Sequence, residues 1–213
     1  MTQDTSKLHL EILDPKRRKL LSSLLPLVSG FNLSGGTALA LQIAHRQSFD
    51  FDFFSSKEIP ASLLAKISKK IQIGTVIKNN ADELTFMTAD EIKVSFVCYP
   101  FKALFEKIVN DSFSVFDLRD IAAQKAYTIG RRGTWRDYFD LYCLISEGYI
   151  TLKQIMANAE KIFSNVFSPK LFLEQLVYFG DITNYEIMPI GKGSIANPEL
   201  VKSFFEAEVR KVL

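Results

Sequence analysis

The stretch Ser48-Phe49-Asp50-Phe51-Asp52-Phe53-Phe54 limits what this chain can fold into more than any other. Phe49, Phe51 and Phe53 alternate with two aspartates, and a period of two marks a strand with unlike faces. A strand here puts both carboxylates on one face and the phenylalanines on the other. Two like charges at that spacing repel, and beside so many aromatic rings they are costly unless something positive lies between them. A divalent cation meets that need. Mg²⁺ takes a few carboxylates together with phosphate oxygens and water, and so bridges such a pair to a nucleotide. Standing alone, an Asp-x-Asp is more often the solvent-facing side of an edge strand, so the surrounding sequence has to decide.

Fourteen residues before Asp50 stands Gly36. It belongs to a unit that reads as a strand over 31–33, a tight turn at Ser34-Gly35-Gly36-Thr37, and a compact helix over 38–44. Glycines at a strand-to-helix turn let the backbone approach a phosphate closely, and the free amides of the following helix start attract anions. A Gly-Gly is usually just a turn. Next to a carboxylate pair on the following strand, it reads as a phosphate cradle beside a metal site.

The rest of the chain supplies a scaffold. Asp14 and Pro15 have the chemistry of a helix cap and first helical residue, and Pro26 is placed to end that helix early. An amphipathic helix is predicted over 60–71, then an antiparallel meander over 73–78, 83–88 and 91–99. Helices are predicted over 101–109, 117–131, 135–147, 151–163, 169–179 and 198–212, with an irregular loop over 180–196. The reading is α+β: a mixed sheet with flanking helices in residues 1–100, followed by a helical C-terminal half, 101–213, packed on that core and completing the site.

Composition excludes several classes. Lys plus Arg number 26 against 24 Asp plus Glu, too balanced to identify a nucleic-acid binder from charge alone. No apolar run approaches the ~18 residues of a membrane helix, and residues 1–20 lack the apolar core of a signal peptide. Cys98 and Cys143 lie far apart, and His9 and His45 show no metal-ligand spacing, so zinc and Ser-His-Asp chemistry are disfavoured. Free thiols suit a reducing cytoplasm, which is the expected location.

Ser34-Gly35-Gly36-Thr37-Ala38-Leu39-Ala40-Leu41 and His45-Arg46-Gln47-Ser48-Phe49-Asp50-Phe51-Asp52-Phe53-Phe54 together resemble the signature of AbiEii-type nucleotidyltransferases. These are toxins of abortive-infection and type IV toxin–antitoxin systems, within the DNA polymerase β-like nucleotidyltransferase superfamily. The resemblance extends to Asp120-Ile121-Ala122-Ala123-Gln124-Lys125 and to Arg132-Gly133-Thr134-Trp135-Arg136-Asp137-Tyr138-Phe139-Asp140, and covers about residues 30–147. It implies a nucleotidyltransferase-like fold and transfer of a nucleoside monophosphate from a nucleoside triphosphate to a hydroxyl, on a tRNA 3′ end in some relatives. It also implies a cognate antitoxin. Asp50 and Asp52 would hold Mg²⁺. Gly35, Gly36 and Thr37, with Arg46 and Ser48 of the family's Arg-x-Ser, would meet the nucleotide. Lys125 and Asp137 fall in the family's active-site motifs.

Lys125 and Asp137 also stand out on their own. Lys125 falls inside the apolar stripe Leu118, Ile121, Ala122, Ile129, and an inward lysine needs an anionic partner. Asp137 falls on the stripe of Leu141, Leu144 and Ile145. A structural ion pair between the two helices is the alternative to a nucleotide contact. Asp140 is a weaker candidate for an active-site role, since it can pair with Arg136 one helical turn back. Arg131, Arg132 and Arg136 form a basic cluster beside Lys125. Many members of the superfamily carry a third acid on a later strand. Here Ser95 takes that position, and Glu91 is a poor substitute at the strand start. Without it the general base is Asp137, Asp52 or water. A metal-dependent phosphohydrolase, a non-catalytic nucleotide- or partner-binding module, and a toxin acting by sequestration therefore stay open at this point.

Overall fold

The computed structural model describes residues 7–110, 113–190 and 197–213. Its first helix, α1 (Pro15–Leu24), begins where the sequence predicts. The Asp14 carboxylate accepts a hydrogen bond from the Arg17 amide at 3.0 Å, and Pro15 sits where no amide hydrogen is needed. Pro26 cannot continue the ladder, and the chain tightens into a 3-10 turn at Leu25–Leu27.

The strands are β1 (Asn32–Ser34), β2 (Phe51–Ser55), β3 (Ile73–Asn79), β4 (Glu83–Thr88), β5 (Lys93–Cys98), β6 (Ile108–Asn110) and β7 (Phe113–Val115). They form one mixed sheet in the order β3-β4-β5-β2-β1-β7-β6. The meander of β3, β4 and β5 is antiparallel, as predicted. β2 lies parallel to β5 and antiparallel to β1. The helix α2 (Gly35–Ile43) fills the connection between β1 and β2. A short helix, α3 (Leu63–Ser68), replaces the longer one expected over 60–71 but buries Leu63 and Ile67 as its stripe requires.

The helix predicted over 101–109 is not formed. Leu104 and Phe105 instead donate their amides to the Asp120 carboxylate, at 2.9 and 3.2 Å, so the backbone is satisfied without a helix. Ile108 and Val109 then start the β6–β7 hairpin, and β7 runs parallel to β1. The sheet thus takes strands from both sides of residue 100.

The helices that follow are α4 (Leu118–Ile129), α5 (Trp135–Ser146), α6 (Leu152–Phe163), α7 (Pro169–Leu176) and α8 (Pro198–Arg210). Asp117, Thr151, Ser168 and Asn197 cap four of them through their side chains. α4 packs against α2, α5, α6 and α7. The loop expected over 180–196 is irregular as far as residue 190, apart from a bridge between Arg46 and Pro189; residues 191–196 lie outside the described residues. No helix among the described residues is long and apolar enough to cross a membrane.

Strand register gives the sheet two unlike faces. Leu33, Phe53 and Phe96 share one face with Phe51, Val94 and Phe86, all at most 1% exposed. Phe53 stacks on Phe96 at 5.2 Å. On the other face Ser34, Asp52, Ser95 and Thr85 form a row across four strands. Here Ser34 Oγ donates to Gln124 Oε1 of α4 at 2.6 Å, which ties that helix to the polar side.

Candidate active site

The polar face opens into a cleft of about 650 Å³, within the range that holds a small-molecule ligand. Asp50, immediately before β2, and Asp52, on it, both line this cleft, while Phe51 and Phe53 point into the core. Burial raises the Asp52 carboxyl above its ordinary range, and the neighbouring Asp50 charge adds to this. Lys93, Ser95 and Lys125 act in the opposite direction. The guanidinium of Arg136 stays 3.9 Å from Asp50 and is more than half exposed.

Gly35 and Gly36 form the first turn of α2, which starts three residues earlier than the 38–44 expected. Gly35 has φ +67°, and a Cβ there would stand 2.8 Å from Asp52 Oδ2. A Cβ on Gly36 would stand 2.5 Å from Arg46 Nη2. The pair is therefore fixed by the close approach of an aspartate and an arginine, and both glycines line the cleft. Thr37 does not line it. Only 2% exposed, its hydroxyl bonds Ser48 Oγ at 2.9 Å and the Asp50 carbonyl oxygen, bracing the segment that delivers the acids. Ser48 and Arg46 do reach the cleft wall.

Behind that wall lies a buried ion cluster. Arg46 donates to Asp140 through Nε at 2.6 Å and Nη2 at 2.8 Å, a bidentate pair. His45 Nε2 lies 2.7 Å from the same carboxylate, and Lys125 Nζ lies 2.5 Å from it. Asp140 therefore pairs with these three residues, not with Arg136 one helical turn back, the partner its spacing allowed. The reason is reach: Arg136 turns outward to the cleft rim, toward Asp50. Lys125 also donates to Asp137 Oδ1 at 2.8 Å, and the Thr134 hydroxyl holds the other oxygen. Lys125 and Asp137 both line the cleft, so the pair predicted from helical stripes is at once an interhelical ion pair and part of the site.

The charge states follow from this packing. Burial alone would raise the Asp140 carboxyl, but the Arg46 and Lys125 charges hold it well below its usual range. Burial would depress the Lys125 ammonium, yet Asp137 and Asp140 push it up. His45 is lowered, chiefly by burial, and its Nδ1 is buried without a hydrogen-bond partner. We assign the neutral Nε2–H tautomer, because a second ring proton would have no acceptor.

Ser95 pairs directly with Asp52 across the β5–β2 ladder, so serine occupies the neighbouring-strand position as read from the sequence. Glu91 has φ +60° in an exposed turn and does not line the cleft. Sequence reasoning missed several cleft residues, among them the charged Lys93, Glu83 and Glu186 and the aromatic Phe54, Tyr99 and Tyr127. Lys93 lines the cleft two residues before Ser95, and Glu83 lines it two before Thr85. Parity with Ser95 was the available signal for Lys93. The basic cluster divides: Arg132 and Arg136 line the cleft, whereas Arg131 stacks over Tyr127 at 3.5 Å and donates to the Val166 carbonyl. Among the described residues, no group of three or more His, Cys, Asp or Glu gathers to hold a metal ion. Asp50 and Asp52 are thus a partial donor set, of the kind Mg²⁺ completes with substrate phosphates and water.

Comparison with known proteins points the same way as the geometry. A family model described as the nucleotidyl transferase AbiEii toxin of type IV toxin–antitoxin systems matches residues 19–191. An uncharacterized protein of Aquifex aeolicus (strain VF5) is 33% identical over 198 residues, covering 89% of this chain and 91% of that protein. Among solved structures, MenT4, a nucleotidyltransferase toxin from Mycobacterium tuberculosis H37Rv, superposes with a TM-score of 0.59 at 16% identity, over 90% of this chain and 79% of that one. A putative nucleotidyltransferase from H. pylori gives a TM-score of 0.52 at 16% identity, over 94% of this chain and 99% of that one. At such identities these likenesses speak for the fold.

Proposed function

Because the chain belongs to the AbiEii nucleotidyltransferase toxin family of type IV toxin–antitoxin systems, we propose that its cleft transfers a nucleoside monophosphate from a nucleoside triphosphate to an RNA hydroxyl, with Mg²⁺ on Asp50 and Asp52. One observation carries this reading: two carboxylates, two helix-start glycines and a buried lysine converge on a single cleft. When bound, Mg²⁺ would supply positive charge at the α-phosphate and offset the repulsion between the two acids.

The first turn of α2, at Gly35 and Gly36, brings unpaired backbone amides to the triphosphate. Lys125 offers a point charge to the same phosphates from the helical side. Asp137 keeps that ammonium in place. An acceptor hydroxyl attacks the α-phosphorus, the bond to the β-phosphate breaks, and pyrophosphate leaves. The hydroxyl proton passes to water, since Asp137 is already held by Lys125 and Thr134. Arg132 and Arg136 on the cleft wall suit the phosphates of an RNA acceptor, and a tRNA 3′ end is the acceptor to test first. Such chemistry belongs in the cytoplasm, where both substrates are present.

Purified protein, Mg²⁺, each labelled nucleoside triphosphate and either total RNA or purified tRNA make the test. Label should enter RNA, and the Asp50→Ala/Asp52→Ala variant should abolish it. Release of phosphate without label in RNA would sink the proposal in favour of hydrolysis. Expression alone should arrest growth, and co-expression of the gene adjacent to it should relieve the arrest.

A further inference from the structure

The cleft runs on past the carboxylates. Phe54 follows Asp52 by two residues on the same face of β2, about 7 Å further along. That is roughly the span of a ribose between its 5′-phosphate and its base. Val97 is the register partner of Phe54, and Tyr99 follows just past the end of β5, stacked on Phe54 at 5.0 Å. From the helical side, Tyr127 of α4 and Phe163 of α6 stack on each other at 4.2 Å with their planes 14° apart, and Arg131 covers the outer face of Tyr127 at 3.5 Å, so this pair closes the cleft without offering a free ring face. All four rings line the cleft, and Phe101 joins the two pairs from behind, edge-on to Tyr99 at 5.3 Å and to Phe163 at 4.8 Å.

This aromatic end carries a polar group in want of a partner. The Tyr99 hydroxyl is buried and makes no hydrogen bond in good geometry, although the Gln124 side chain lies beside it. Gln124 itself lines the cleft, one position before Lys125. The Phe54–Tyr99 pair, half-buried, with a few polar atoms beside it, matches a heteroaromatic ring. Phe163 is buried and the other three rings are half-buried, which suits a monomer better than the end of a polymer.

We propose that this end of the cleft binds the base of the incoming nucleotide, stacked on the aromatic wall with its polar edge at Tyr99 and Gln124. The proposal rests on the nucleotidyl-transfer reading of the Asp50–Asp52 end and adds a base-selecting subsite to it.

Equilibrium binding separates the two ideas. The full chain, with Mg²⁺, is titrated with ATP, CTP, GTP, UTP and inorganic tripolyphosphate, which has no base. The wild type should bind at least one of the four nucleotides more tightly than tripolyphosphate. A Phe54→Leu variant should lose that margin, roughly tenfold for the preferred nucleotide, while tripolyphosphate binds as before. Tyr99→Phe, which removes one oxygen and keeps the ring, should change the ranking among the four nucleotides, and it decides the matter should Phe54→Leu fail to fold. An unchanged ranking in Tyr99→Phe, or a defect confined to the acceptor RNA, overturns the base subsite. Wild-type protein that binds neither nucleotide nor tripolyphosphate overturns the underlying nucleotidyl-transfer reading instead.

Discussion

Two carboxylates that both feel the charge of Lys125 face opposite circumstances. Asp140 is fully buried and is met at 2.5 to 2.8 Å by His45, Arg46 and Lys125, contributed by a loop and a helix distant in sequence. Asp52 sits beside another acid, its carboxyl raised by burial, and the arginine nearest its partner Asp50 stops at 3.9 Å. The first acid is neutralised by three direct partners; the second is offset only in part, by Lys93, Ser95 and Lys125, and its carboxyl stays raised. A folded chain that satisfies one buried acid three times over and offsets a pair of others only in part keeps at the second the uncompensated charge that a cation would meet.

Asparagine at both Asp50 and Asp52 should break the comparison most visibly. Loss of a cation site removes several kcal/mol of transition-state stabilisation, so transfer should fall on the order of a thousandfold or more. The same change should leave the melting temperature level or raise it, by about 1 kcal/mol of stability, because it removes like-charge repulsion. A large drop in melting temperature would make the pair structural. Asp140→Ala should behave in the opposite way. Leaving Arg46 and Lys125 buried without their anion costs about 3–5 kcal/mol, and at about 2–4 °C per kcal/mol thermal unfolding should shift down by roughly 6–20 °C.

Mg²⁺ with a nucleoside triphosphate sharpens the contrast. Ligand at a hundred times its Kd stabilises a fold by about 2.7 kcal/mol, so the wild type should melt higher with both present. Asp52→Asn should show almost none of that shift, and omission of the metal should abolish it in the wild type. A full shift without Mg²⁺ would mean that Lys125 and the α2 amides hold the triphosphate unaided.

The buried cluster has its own pH signature. His45 is held neutral, mainly by burial, so its folded proton affinity is below its unfolded one. As pH falls through about 6.5, the unfolded chain takes up a proton that the folded chain refuses, and stability drops. Asp140, despite its burial, is held far below the ordinary range by Arg46 and Lys125, so its contribution is intact at neutral pH and is lost only as pH falls below about 4. Urea midpoints measured from pH 8 to 5 should therefore fall for the wild type relative to His45→Gln, which keeps a donor for Asp140 without titrating. The difference is bounded by about 1.4 kcal/mol per pH unit. Parallel curves for the two proteins would mean that His45 takes up its proton equally in the folded and the unfolded chain, and that burial does not hold it neutral.

How much of this the sequence disclosed depended on whether the signal was local. Period two placed Asp50 and Asp52 on one side, and helical stripes brought Lys125 and Asp137 inward, because both patterns are set by backbone geometry. Partner choice for Asp140 was not legible: Arg136 is its neighbour by helical spacing, while Arg46 is nearly a hundred residues away and arrives only when α2 docks against α5. The β6–β7 hairpin failed for a similar reason. Three-residue strands carry little periodicity of their own, and β7 exists because β1 offers it an edge. The glycines were noticed for the right place and a partial reason, since their missing side chains make room for Asp52 and Arg46 as much as for any phosphate.

The smallest expected effect tests the comparison at its weakest point, the 3.9 Å approach of Arg136 to Asp50. Arg136 is 55% exposed, and a solvent-screened pair of this kind is worth about 0–1 kcal/mol. Arg136→Gln should thus leave the melting temperature unchanged in the absence of metal. Removing a positive charge from beside the acids should also let Mg²⁺ bind slightly more tightly, by about two- to threefold for ~0.5 kcal/mol of lost competition, read from metal titrations of the thermal shift. Were Arg136→Gln instead to melt several degrees lower, Asp50 would be held by the protein much as Asp140 is, and the contrast between the two acid sites would dissolve.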